Sequence, residues 1–125
     1  MLYSVVTFNL IQKENGILTY EYYPQGNTKF KAGIIKLDSN EREISIVTPA
    51  EEDFLRSTTA KELNEMRDAI NEMRVENGEK PLTEKELPTA TEGESWYWFG
   101  DHAISKIWKA FREGKELDKG CAMWY

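Results

Sequence analysis

The chain holds one histidine, His102, and one cysteine, Cys121, so familiar acid–base or nucleophilic chemistry has to pass through one of them. His102 follows Asp101, a residue suited to a helix N-cap, and stands three residues before Ser105. The positive end of a helix dipole and nearby lysines both disfavour an imidazolium. His102 is therefore expected to be neutral at pH 7, which permits base or ligand chemistry without requiring it. Its candidate partners are Asp101, Ser105 and Cys121. Adjacent helical residues diverge by about 100°, so Asp101 and His102 do not make a pair, and nothing in the spacing ties Cys121 to either. No catalytic residue is assigned.

Metal chemistry has less support. With one His and one Cys a zinc site would need several carboxylates, and neither HExxH nor CxxC spacing occurs. The run Glu51-Glu52-Asp53 is explained by the first turn of a helix, where carboxylates face the positive end of the dipole. Gly26 and Gly33 fit neither a phosphate loop nor a dinucleotide motif. Nucleophile-elbow and kinase signatures are absent as well. No metal and no cofactor is expected.

The charge narrows the partners. Over 125 residues, 16 Lys and Arg face 22 Asp and Glu, a net charge of −6. Phosphate contacts need clustered bases, and no three basic residues are consecutive. Lys106, Lys109, Arg112 and Lys115 recur every three residues as a modest cationic stripe, which reads as a solvated helix face. No apolar run approaches the roughly 20 residues of a membrane span, and the opening Met1–Val6 lacks the pattern of a secretory signal. A lone cysteine cannot form an internal disulfide. A soluble cytoplasmic protein is expected, with neither nucleic acid nor membrane as partner.

The elements that would position these residues divide the chain in two. Leu2, Val6, Phe8 and Leu10 alternate with polar residues as the buried face of a strand does. Asn15-Gly16 then supplies the turn of a hairpin, and Leu18, Tyr20 and Tyr22 line the returning strand. A third strand is expected over Lys29–Leu37, with Gly33 at a bulge or close backbone approach, and a fourth over Arg42–Val47 after the turn Asp38-Ser39-Asn40. Thr48-Pro49-Ala50-Glu51 predicts a short helix through Leu55, and the capping pattern Thr59-Ala60-Lys61-Glu62 a longer one ending near Asn77-Gly78. Residues 78–95 read as a polar loop of a length often mobile or functional, with one helical turn at Thr83–Leu87. A last helix is expected over Asp101–Arg112.

Aromatic residues are unevenly spread: of fifteen, six lie in residues 1–30, only Phe54 in 31–95, and eight, including all four tryptophans, in 96–125. Such large side chains dominate cores, so the last helix should lie across the sheet, and the tail ending in Trp124-Tyr125 should add an edge strand or a plug. The middle helix differs. Leu63, Met66, Ile70 and Met73 make a narrow seam at 3-4-3 spacing, suited to a partner helix, with flexible methionines of the kind adaptable contact surfaces use. The same seam could instead pack on the protein's own sheet or last helix.

The expected fold is one α+β domain spanning residues 1–125. It has a four-stranded antiparallel meander over about residues 2–47, packed on one face by two or three C-terminal helices. The leading functional expectation is a non-enzymatic accessory or regulatory protein acting through contacts with another protein or a second copy, with Leu63, Met66, Ile70 and Met73 as the contact. The alternative is a small-molecule binder or an enzyme of unfamiliar type, with a pocket between sheet and last helix walled by Tyr22, Trp96 and Trp98 and with His102 as its polar group.

Overall fold

A computed structural model describes residues 3–125 and shows an α+β fold. Leu2, expected on the buried face of the first strand, lies outside the described residues. Strands β1 (Ser4–Glu14), β2 (Ile17–Pro24), β3 (Gly33–Asp38) and β4 (Glu43–Thr48) follow one another as an antiparallel meander. Asn15 and Gly16 take φ of 53° and 79°, as a type I′ turn requires. The third strand begins later than the alternation implied. Lys31 is drawn off instead, because its N–H donates to the Glu51 carboxylate at 3.0 Å and its carbonyl accepts from the Glu51 N–H at 3.0 Å.

Two expectations need correction. A strand at Lys119–Trp124 (β7), the edge strand that was one of the two expectations for the tail, pairs with β1 from Ser4↔Trp124 to Asn9↔Lys119, so the sheet has five strands rather than four, in the order β4-β3-β2-β1-β7. A further two strands, β5 (Leu55–Thr58) and β6 (Glu94–Tyr97), form a separate small sheet. The short helix expected after Thr48 does not form. Its amides find partners from elsewhere: the Ala50 N–H donates to the Tyr22 hydroxyl at 3.0 Å and that of Glu51 to Lys31. Distant acceptors thus outcompete a local capping pattern.

There are two helices, α1 (Ala60–Glu76) and α2 (Trp98–Arg112). Both end alike. Gly78 and Gly114 adopt positive φ, and the N–H groups of Glu79 and Lys115 return to the carbonyls of Arg74 and Ala110, each at 2.8 Å, which closes a Schellman motif.

The chain divides into two compact units, one of Met1–Leu55 with Trp96–Tyr125 and one of Arg56–Ser95. The chain passes from the first to the second along β5 and returns along β6. In the larger unit a single helix, rather than two or three, covers one face of the sheet. Phe99, Ala103 and Ile107 of α2 meet Val6, Phe8, Leu18, Tyr20, Tyr22, Ile35 and Leu37. Removing a Leu or Ile of this set from water contributes about 1.5–3 kcal/mol. The Tyr20 hydroxyl donates to the Leu117 carbonyl at 2.6 Å and so fixes the approach to β7. Burial first, then the charges of Glu116 and Asp118, push this phenol up to about 12.

Candidate functional site

The smaller unit is built on polar contacts. No residue of 56–95 is buried, and none of the 17 residues of α1 is. The helix begins at Thr59, whose hydroxyl accepts from the Glu62 N–H at 3.1 Å while the Glu62 carboxylate accepts from the Thr59 N–H at 3.2 Å. Along one face Asn64, Arg67, Asn71 and Arg74 recur at helical spacing and reach the backbone of residues 80–90. The Asn71 amide accepts from the Leu82 N–H at 2.7 Å and donates to the Leu82 carbonyl at 3.4 Å. Asn64 does the same to Ala90, at 2.7 and 3.1 Å. Each asparagine thereby satisfies both backbone groups of one residue, as a neighbouring strand would. Arg67 donates to the Leu87 carbonyl at 2.8 Å and pairs with Glu84 at 2.7 Å. Arg74 donates to the Lys80 carbonyl at 2.9 Å and pairs with Glu79 at 3.0 Å.

Residues 80–90 are therefore strapped along α1. The expected turn at Thr83–Leu87 forms within the strap, opened by a second capping box between Thr83 and Glu86. Glu84 accepts from both the N–H and the hydroxyl of Thr89. Those bonds, with Arg67 adding to them, hold its carboxyl below the usual range.

Beside this polar ladder lies the seam. Met66, Ile70 and Met73 are 57%, 43% and 62% exposed, and Leu63 is half-buried. A groove of about 240 Å³ runs between seam and strap, lined by Leu63, Met66, Ile70, Leu87, Pro88 and Glu94 among others. The four residues singled out from sequence thus share one helix face, and three of them are exposed to solvent, Met66 and Met73 over more than half of their surface.

The other named residues belong to the larger unit. Trp98 and His102 come together, with ring centres 5.4 Å apart, and His102 lies flat on Trp124 at 3.6 Å. Burial in this stack lowers the pKa of the imidazole, against an opposing contribution from Asp101. The indole N–H of Trp124 is buried without an acceptor among the described residues. Trp96 is half-buried on β6. Tyr22 has no exposed surface. Its hydroxyl donates to the Asp53 carboxylate at 2.7 Å and accepts from the Ala50 N–H, and burial drives its pKa upward. Cys121 alternates on β7 with Ala122, which packs on the core, so its side chain points away from the sheet face that α2 covers. The Ser105 hydroxyl donates to its own helix, to the Asp101 carbonyl at 3.0 Å.

Sequence reasoning missed Asp53. The last helix starts at Trp98 rather than Asp101, and its N-cap, Tyr97, supplies no side-chain bond. Asp53 takes that role from a distant loop, accepting from the N–H groups of Phe99 and Gly100 at 2.9 Å each. The cradle needs glycines on both sides. A Cβ on Gly33 would collide with the Tyr22 ring, and one on Gly100 would lie 3.1 Å from the Tyr22 hydroxyl and 3.2 Å from Asp53. Among the described residues no group of three or more His, Cys, Asp or Glu is placed to hold a metal ion, and no helix is long and apolar enough to cross a membrane.

No protein-family model matches the chain, and neither a curated protein nor a solved structure does.

Proposed function

We propose that this protein works by binding another protein, and that the seam of Leu63, Met66, Ile70 and Met73 is the contact. The observation that carries this reading is α1 itself: it buries none of its residues while three large apolar side chains lie exposed along one face. Helices in proteins gain most of their stability by packing an apolar face. Here capping boxes and the asparagine–arginine ladder hold the helix instead, which leaves the apolar face available. Covering the exposed part of Met66, Ile70 and Met73 is worth about 1 kcal/mol each, roughly 3 in all, enough to direct an interaction that polar contacts around it complete.

The test is native mass spectrometry on protein purified gently from its own host, beside a Met66→Glu/Met73→Glu variant. The native protein should carry a second polypeptide that the variant loses, with helix content by circular dichroism unchanged. If a folded variant keeps the same mass and the same companion, the seam is not the contact.

A further inference from the structure

We infer that the occupant of the α1 seam is a cationic amphipathic helix of another protein. This rests on the seam being a contact, and adds to it the chemistry of the partner. The seam is bordered on one side by the strap and on the other by Glu62, Glu65, Glu72 and Glu76, which share the neighbouring helix face at intervals of three, seven and four residues. The two arginines of α1 cannot offset this wall, because both are turned to the strap and paired with Glu84 and Glu79. Ten acidic and six basic side chains lie in Arg56–Ser95, so a net −4 of the chain's −6 sits in about a third of its length. The groove beside the seam adds Glu94 to its lining.

Two features select the partner. Single large apolar residues at 3-4-3 spacing, about 15 Å from first to last at helical rise, fit the i, i+3, i+4, i+7 anchors of a helix laid into a groove. A glutamate wall alongside favours Lys or Arg on the partner's flank, because complementary charge steers encounter and penalises like-charged competitors. A second copy is such a competitor, since packing seam on seam sets one glutamate wall near the other. Phosphate-rich surfaces are repelled for the same reason.

The experiment uses the full chain and three labelled peptides of about five helical turns. One has leucines at the anchor spacing flanked by lysines. Its twin carries glutamates in their place, and the third keeps the lysines but scatters the leucines. Fluorescence anisotropy is measured at low and high salt, with a Glu65→Gln/Glu72→Gln/Glu76→Gln variant and Met66→Glu beside the native chain. The lysine-flanked helix should bind at least about tenfold more tightly than either control. The three-glutamine variant should weaken it about fivefold, as exposed charge pairs allow, with most of the salt dependence gone. Met66→Glu should abolish binding. Equal binding of the glutamate twin, or no loss in the glutamine variant, overturns the cationic partner but leaves the seam if Met66→Glu still abolishes binding. Equal binding of the scattered peptide reduces the effect to non-specific attraction and overturns it too. Failure of all three peptides, with a native mass showing a dimer that Met66→Glu dissolves, assigns the seam to a second copy and overturns the inference.

Discussion

Asp53 is the residue through which the loop after β4, the sheet and α2 are joined, and its removal should be costly. In Asp53→Ala the Phe99 and Gly100 amides lose their acceptor, a loss comparable to deleting an N-cap, about 1–2 kcal/mol. The Tyr22 hydroxyl, on a residue with no exposure, loses its only acceptor among its described bonds, and an orphaned buried donor costs about 1–3 kcal/mol. These losses share one carboxylate and do not add fully, so a total near 3 kcal/mol is expected, a fall in Tm of about 10 °C for a chain of this size. Asp53→Asn keeps one acceptor and no charge, and should lose about half as much. Urea unfolding followed by tryptophan fluorescence reads both. Tyr22→Phe should be less costly in the Asp53→Ala background than in the native chain, because the bond between them is already gone. An Asp53→Ala variant destabilised by less than about 1 kcal/mol, with an unchanged urea slope, would refute the joint.

Two further outcomes follow, one from the core of the sheet and one from the polar ladder of α1. Tyr20 is raised from 10.0 to about 12 and Tyr22 is raised also, both chiefly by burial. Folding therefore favours the neutral phenols. Their contribution is complete below pH 10 and is lost as pH climbs through the folded pKa, so the urea midpoint should fall from pH 10 upward, and phenolate absorbance should show two tyrosines ionising only as the chain unfolds. In the smaller unit, Asn71→Ala leaves the Leu82 N–H without its acceptor. A loss of about 1–1.5 kcal/mol should speed hydrogen exchange at residues 80–90 about tenfold, read by mass spectrometry, while β1–β3 keep their protection. Unchanged exchange there would mean that the asparagine ladder does not hold the strap.

The sequence legibly encodes what is local. Asn15-Gly16 between alternating apolar runs specifies its hairpin, and Thr59 with Glu62 specifies the start of α1, because every interaction involved lies within a few residues. The alignment of the seam was readable for the same reason: spacing alone places Met66, Ile70 and Met73 on one face, whereas their exposure was not, since the same spacing also suits packing on the protein's own core. What escaped is what distance decides. The tail read as an edge strand or a plug, and β7 is that edge strand, but the choice between the two was not legible, because its partner strand lies more than a hundred residues away. Thr48–Glu51 satisfies the local rules for a helix start, yet Tyr22 and Lys31 take its amides. Asp101 has the right type and position for a cap, but Asp53, 46 residues before Phe99, holds the helix end. At the candidate site, the seam was visible while the strap beside it was not, because Asn64 and Asn71 reveal their backbone partners only once residues 80–90 lie along the helix.

The paired strands β5 and β6 set the two ends of Arg56–Ser95 side by side, and this bears on how the chain can change over evolutionary time. A segment whose ends already meet can be lengthened, shortened or exchanged at small entropic expense, since doubling a closed loop costs only about 0.6 kcal/mol. None of the buried residues that make the main core lies within it. Substitutions on the exposed face of α1 are therefore expected to leave the buried core of the sheet untouched, and this segment is the part of the molecule most open to change while the rest stays constant.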